Sequence, residues 1–458
     1  MNKNHKINRD GATVLTEGSP WKLLLLFSLP LMMGNIFQQM YTVVDTAVVG
    51  KALGVDALAA LGAVDWLNWL TLGAIQGFTQ GFSILMAQRF GAEDYGRLRQ
   101  TAANAIVLAV LCAAVLTAGS QALAGTAVDL LQIPAEIRPI SMAYLRILFG
   151  GVPIVMAYNL AASILRALGD GRTPLEAMIV ASLTNIALDL LFVIGFRWGV
   201  QGAAVATLLA QCLAAGFCIW RLSRMEVLRL TGKDWDLSSP LCGRLMRLGL
   251  PMAFQNTVIA IGGMIIQSIV NGFGVVFIAG YTAANKLYGI LEVAATSYGY
   301  AMTTYAGQNL GAGKIRRISQ GLRAGMVIAL ATSLVIAVMM LLFGRLILSC
   351  FVPASEEGSE ALELGYRYLA IMSVCLPVLY VLHVTRSCIQ GLGNTVLPMV
   401  SGMAEFVMRT GGALLLPPVM GETGVMIAEV LAWFGADLLL VPSYFFVMRK
   451  IRLEQPEE

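Results

Sequence analysis

FSLPLMMGNIFQQMYTVVDTAVVG, residues Phe27–Gly50, is long and apolar enough to cross a bilayer as one helix. It nevertheless carries Pro30, Gln38, Gln39 and Asp45. A carboxylate inside a membrane helix costs roughly 2.5–3.5 kcal/mol on insertion scales, so it is expected to face a cavity or a partner rather than lipid. Gln38, Tyr41 and Asp45 fall at i, i+3 and i+7 and therefore share one helical face. One side of this helix is predicted to be apolar. The other presents a hydrogen-bonding stripe that ends in an acid.

The rest of the chain suits such a helix. Of its 458 residues 57% are hydrophobic and 13% charged, against about 25% charged in soluble domains, which marks an integral membrane protein. The first twenty residues are polar and basic and carry no cleavage-site pattern, so the first apolar segment is expected to stay as a membrane anchor. The seven cysteines (112, 212, 218, 242, 350, 375 and 388) are scattered and form no CxxC pair. Neither a disulfide framework nor a zinc site is expected. The net charge of +4 is weak support for nucleic-acid binding, because the basic residues have a better explanation in topology.

Apolar segments of spanning length fall near 22–49, 57–86, 101–124, 139–165, 174–196 and 199–220. A second set falls near 248–271, 276–304, 322–348, 364–389, 396–418 and 424–447. With the N-terminus inside, both tails and the inner loops hold 23 Lys and Arg, and the outer loops hold five. The positive-inside rule then places both termini in the cytoplasm of a multi-pass protein of a bacterial-type inner membrane.

The two sets of six are copies. Leu29-Pro30 recurs as Leu250-Pro251, and AQRFGAEDYGRLRQ (87–100) recurs as GQNLGAGKIRRISQ (307–320). RALGDGRTPLEAM (166–178) recurs as QGLGNTVLPMVSGM (390–403). The turns at Gly91-Ala92 and Gly311-Ala312 are expected to close tight inner loops. Six helices return the chain to its starting side, so the expected fold is all-α, with two six-helix lobes related by a pseudo-twofold axis along the membrane normal, a transporter layout. The divisions read as a tail 1–21, an N-lobe 22–221, a basic linker 222–247, a C-lobe 248–448 and a tail 449–458.

A second stripe lies on the fifth segment, where Met178, Ser182, Asn185 and Asp189 fall on one face at i, i+4, i+7 and i+11. Segments one and five run the same way, so Asp45 and Asp189 are predicted at similar depths in the outer half. Two carboxylates in a dry pocket cannot both ionise cheaply. Such a pair takes a proton or is held ionised by a bound cation, with Asn185 and Thr207 supplying neutral oxygens. The alternative is that the aspartates only hold helices together by hydrogen bonds. The repeat speaks against that, because the positions matching Asp45, Asn185 and Asp189 in the second copy are Ile266, Arg409 and Ala413. The second copy has its own polar set: Lys286, Glu292, His383, Arg386, Glu405, Arg409, Glu429 and Asp437. These read mainly as ion pairs or cavity lining, with Glu405 and Arg409 paired at i, i+4 and Glu292 as the candidate polar contact to substrate. His383 has no second His or Cys at metal spacing. Several of the 23 methionines, with Phe37, Tyr41 and Tyr158, suit a soft cavity for flat lipophilic cations.

No GxxxxGK[ST] loop is present, since GAGKI at 311–315 has Ile315 where Ser or Thr is needed. Direct ATP-driven pumping is therefore unsupported, and an ion gradient remains as the energy source. No HExxH or GxSxG motif points to hydrolysis.

The Leu-Pro start of both repeats, QMYTVVDTAVVG (39–50), GQNLGAG (307–313) and RALGDGRTP (166–174) resemble the multidrug and toxic compound extrusion (MATE) family over essentially the full chain. The closest likeness is to the branch of DinF-like and MepA-like exporters. The resemblance implies a two-lobed secondary transporter, not an enzyme, that exports organic cations and drugs against H⁺ or Na⁺, without a cofactor and as a monomer. It implies that Asp45, Asn159, Asn185, Asp189 and Thr207 match the N-lobe cation site, and that Gln38, Tyr41, Met178 and Ser182 match positions lining the drug cavity. Glu292, Glu405 and Asp437 do not align with the acidic residues of relatives that couple through the C-lobe. The alternatives are a lipid-linked oligosaccharide flippase of the same superfamily, which the acidic and amide-bearing stripes disfavour, and an intramembrane enzyme using the two aspartates.

Overall fold

The structure, a computed structural model, describes residues 13–131, 133–350 and 356–454. Lys3, Lys6 and Arg9, tail residues counted among the 23 expected on the inner side, lie outside that range. Among the described residues every element is helical. Each apolar segment of the sequence corresponds to one helix or one broken helix. In order these are α1 (Pro20–Leu53), α2 (Val55–Gly91), α3 (Tyr95–Leu130), the pair α4 (Arg138–Gly150) and α5 (Val152–Ala167), α6 (Arg172–Asp189) and α7 (Gly199–Ser223). The second copy gives α8 (Ser239–Asn271), α9 (Val275–Gly311), α10 (Ile315–Ser349), α11 (Glu356–Gly391), α12 (Val396–Leu415) with the short α13 (Pro417–Met420), and α14 (Glu422–Glu454).

Nine of the described helices are long and apolar enough to cross a membrane, and α4 with α5, bent by 47°, makes a tenth. α9 and α12 fall short of that measure because Asn285, Lys286 and Glu292 interrupt one, and Glu405 and Arg409 the other. Pro30 and Pro251 sit inside unbroken helices α1 and α8. Each removes one backbone donor from the ladder and leaves a carbonyl one turn earlier unpaired, a built-in soft point.

The repeat is written into the helix ends. α2 and α9 each begin after a glycine in the left-handed region, Gly54 (φ 87°) and Gly274 (φ 94°), where a side chain would be strained. After α2, α5, α9 and α11 the chain turns through a left-handed residue: Glu93, Gly169, Gly313 and Gly393. The following N–H then bonds back five residues, as in Asp94 to Arg89 at 3.1 Å and Lys314 to Asn309 at 2.9 Å, the Schellman closure. The turn residue is thus one or two places beyond the Gly-Ala dipeptides that the sequence marks.

The chain divides into two packed units, one holding Leu29–Thr257 with the segment up to Glu17, the other holding Gly18–Ser28 and Val258–Glu458. These divisions fall inside α1 and α8, whereas the repeat reading cuts the chain around 222–247. The units match the sequence copies except at the starts of α1 and α8, where Gly18–Ser28 groups with the second unit and α8 up to Thr257 with the first. In the first unit Gly77 on α2 meets the backbone of Ala253 on α8, so that a Cβ there would overlap it. Residues 225–238, between α7 and α8, form two short 3₁₀ turns held to α3 by Asn104. Its amide donates to the Asp236 carbonyl at 3.2 Å and accepts from Ser238 N–H at 3.1 Å.

Candidate functional site

The two polar stripes of the sequence meet in the first unit. α1 brings Gln38, Tyr41 and Asp45; α6 brings Met178, Ser182, Asn185 and Asp189; α7 brings Thr207. Asp45 is 8% exposed, and Asn185 and Asp189 are fully buried. Asp45 and Asp189 lie close enough for their carboxyl groups to interact with one another. Helical periodicity causes this: both acids end stripes on faces that α1 and α6 turn toward each other, as the 3.4 Å contact from Ser182 Oγ to the Phe37 carbonyl shows.

Around the pair, Asn185 donates to Thr207 Oγ1 at 3.4 Å. Gln211, one turn beyond Thr207 on α7, donates to the Tyr41 hydroxyl at 3.5 Å, and Gln38 precedes Tyr41 by three residues on the same face of α1. Ser182 Oγ donates to the Met178 carbonyl at 2.7 Å. Met178 itself is buried in the apolar core, with Phe37 and Tyr41 packed against that core. Asn159 turns its amide onto the Val155 carbonyl of its own helix at 2.8 Å, so the structure does not join it to the acids by a bond.

Asp45 Oδ1, both oxygens of Asp189, Asn185 Oδ1 and Gln211 Oε1 are buried with no donor among the described residues. Five acceptors without donors in a dry site are costly unless something positive completes them. Oxygen donors of this kind suit a proton shared between carboxyls or a hard cation held by carboxylate and amide oxygens.

One helical turn further along each acid's own helix the surroundings change to hydrocarbon. Val49 follows Asp45 by four residues and Val193 follows Asp189 by four. They pack with Ala57, Val200 and Ala203 in a buried cluster flanked by Leu53, Leu61, Ile140 and Tyr144. This cluster lies on the side of the acids toward the α1–α2 turn. The segment carrying Val193, Leu190–Gly195, is a π-helical turn, a rare local widening that tends to occur at functional positions.

The second unit solves burial differently. Arg386 Nη2 donates to Glu405 Oε2 at 2.7 Å, Arg409 Nη2 to Glu405 Oε1 at 3.0 Å, and Arg409 also reaches Glu429 at 3.1 Å. The Glu405–Arg409 pair expected from spacing is present and is part of a longer chain of charges. Glu292 is partly exposed and sits 3.3 Å from His383 Nε2. Among the described residues no group of three His, Cys, Asp or Glu is arranged to hold a metal ion.

Sequence reasoning missed Gln211 and Tyr144. Gln211 had a signal, since it follows Thr207 at i+4 on the same face. Tyr144 had none, because only the packing of α4 brings it near the acids.

An all-helical membrane protein built from a repeated set of helices, with an uncompensated acid pair in one unit, belongs to the class of membrane transporters. The MatE family model matches residues 30–191 and 251–414, and the chain belongs to the MatE family. It is 29% identical over 414 residues to the probable multidrug resistance protein YpnP of Bacillus subtilis, covering 90% of this chain and 91% of that one. It is 26% identical over 449 residues to the probable multidrug resistance protein YoeA of the same organism, covering 95% and 96%. Among solved structures it is similar in fold to a crystal structure of MATE in complex with MaL6, with TM-score 0.89, 23% identity and coverage of 96% and 98%.

Proposed function

We propose that this protein is a secondary antiporter that exports cationic and amphipathic organic compounds in exchange for H⁺ or Na⁺ by alternating access. The observation that carries the reading is the buried Asp45–Asp189 pair, where three of the pair's own oxygens and those of Asn185 and Gln211 are unsatisfied. Such a site has a strong preference for being filled by positive charge, so its occupancy can be exchanged for another cation. Asp45 and Asp189 carry the coupling ion, and Asn185 and Thr207 complete it. Asn159 joins them once its amide leaves Val155. Gln38, Tyr41, Met178 and Ser182 form the side from which substrate meets the acids, and Pro30 lets α1 bend as the charge on Asp45 changes. The end bearing the α1–α2 turn faces outward, and both termini face the cytoplasm. The names of the relatives YpnP and YoeA support multidrug export.

The test is ethidium movement in reconstituted vesicles under an imposed proton gradient and, separately, a sodium gradient. Wild-type protein is expected to respond to one gradient, and Asp45→Asn to lose at least tenfold in rate. Gradient-driven transport at the wild-type rate by Asp45→Asn would refute the assignment.

A further inference from the structure

The valine cluster packs one turn from each acid toward the α1–α2 turn, the end that the antiport reading places outside, and hydrocarbon there is a poor path for an ion. Tyr144, half-buried on α4, is packed against that cluster. Val49 and Val193 of that cluster each lie one turn from Asp45 and Asp189, and Leu61, also packed on it, lies one turn before Asp65 on α2, so tyrosine, pair and Asp65 border the same cluster. The register of the two helices explains this. Ser141 Oγ on α4 donates to the Ala60 carbonyl on α2 at 3.1 Å in a buried contact. Tyr144 lies three residues past that bond and Asp65 five, roughly 4.5 and 7.5 Å of rise along helices that run the same way. They stand at comparable depth.

Asp65 is exposed, and so are Leu58, Gly62 and Trp69, which share its helical face. It lies about 15 Å along α2 from Val55, and Asp45 about 12 Å back from Leu53. An exposed carboxylate at that depth is tolerated where it meets water rather than lipid. The exposed acid, the tyrosine and the buried pair thus form a polar sequence that skirts the cluster.

Building on the antiport reading above, we propose that Asp65 and Tyr144 form the access route by which the external coupling cation reaches Asp45 and Asp189. Asp65 gathers a small monovalent cation from the aqueous side. Tyr144 offers its hydroxyl oxygen between that acid and the pair. Neither residue holds the ion at rest; both govern how readily it arrives.

The experiment uses the full chain in liposomes, with the initial rate of ethidium movement followed as the external cation is varied. One arm varies sodium at fixed pH, and the other varies external pH without sodium. Asp65→Asn is expected to raise the half-saturating concentration of whichever cation drives wild type by about three- to tenfold, the effect of removing one steering charge. The rate at saturating cation should fall far less. Asp65→Glu should restore the wild-type curve, and Tyr144→Phe should shift it in the same direction as Asp65→Asn. Unmoved half-saturation in both Asp65→Asn and Tyr144→Phe overturns the proposal. So does a loss of rate at every concentration that Asp65→Glu does not repair. Failure of the antiport reading shows up differently, as a wild-type protein indifferent to both gradients.

Discussion

Glu405→Gln offers a direct measure of what the charge chain in the second unit contributes. Glu405 is 5% exposed and receives Arg386 at 2.7 Å and Arg409 at 3.0 Å. With Glu429 at 3.1 Å from Arg409, the two arginines and two glutamates sum to zero formal charge. Glutamine keeps the shape but removes one negative charge, leaving the group at +1. Removing one partner of a buried pair costs about 3–5 kcal/mol. Asp437 is within electrostatic reach of Arg386 and takes up part of the imbalance, so the lower figure of about 3 kcal/mol is expected. The internal control is Arg345–Glu363, of comparable length at 2.7 Å but 57% and 56% exposed, where Glu363→Gln should cost at most about 1 kcal/mol. Equal geometry and unequal burial isolate the desolvation effect. Unfolding in mixed micelles, followed by tryptophan fluorescence, gives both numbers, with Trp433 on α14 stacked on Tyr288 as a nearby reporter. Adding Arg386→Gln to Glu405→Gln should recover part of the loss by restoring neutrality. Equal stabilities of Glu405→Gln and Glu363→Gln would refute this account.

Two further outcomes concern the segment between α7 and α8 and two helical glycines. The Thr231 N–H and hydroxyl each donate to Asp234 at 2.7 Å, and with Arg99 nearby they hold its carboxyl below the usual carboxylate range. A lowered value stabilises the folded segment above the ordinary Asp value of about 3.9 and is lost as pH falls through the folded value. Cleavage by pepsin within 225–238 should therefore begin only well below that pH, and Thr231→Val should move the onset upward; no difference between the two would remove Asp234 as the latch. Gly77→Ala should lower thermal stability, because its Cβ meets the Ala253 backbone. Gly289→Ala, with nothing within 4 Å, should be neutral or slightly stabilising, since alanine favours helix by about 1 kcal/mol over glycine. The reverse order of melting temperatures would contradict the packing described.

The two stripes were legible because helical periodicity alone decides which residues share a face. Gln38, Tyr41 and Asp45, and likewise Ser182, Asn185 and Asp189, needed no tertiary information to be grouped. That the groups would meet required only that α1 and α6 run the same way. Features that depend on a neighbouring helix stayed hidden: Tyr144 beside the acids, the valine cluster, and Arg386 joining Glu405 from 19 residues away. The 47° bend between α4 and α5 and the π-helical turn after Asp189 also left no readable spacing. Helix ends ran past the apolar segments, as in α2, which covers Val55–Gly91 where hydropathy marks 57–86. Hydropathy stops where water begins, and hydrogen bonding does not.

The divergence between the copies explains how a repeated scaffold yields one responsive site. At the places corresponding to Asp45, Asn185 and Asp189 the second copy has Ile266, Arg409 and Ala413. Ile266 and Ala413 are buried, so hydrocarbon has replaced both acids. Arg409 is neutralised in place by Glu405 and Glu429. A charge whose counter-charges are fixed within hydrogen-bond distance gains little from a mobile ion, because binding that ion would first break a buried pair. The acids of the first unit have no such fixed partner, and their unpaired oxygens make the arrival of a cation favourable and its departure costly. In the second unit Arg386, Glu405, Arg409 and Glu429 thus compensate one another, although Asp437 Oδ1 is buried there without a partner; in the first the Asp45–Asp189 pair has no such fixed counter-charge. Under the antiport proposed above, a site without fixed counter-charges is the kind that can convert an ion gradient into a change of shape.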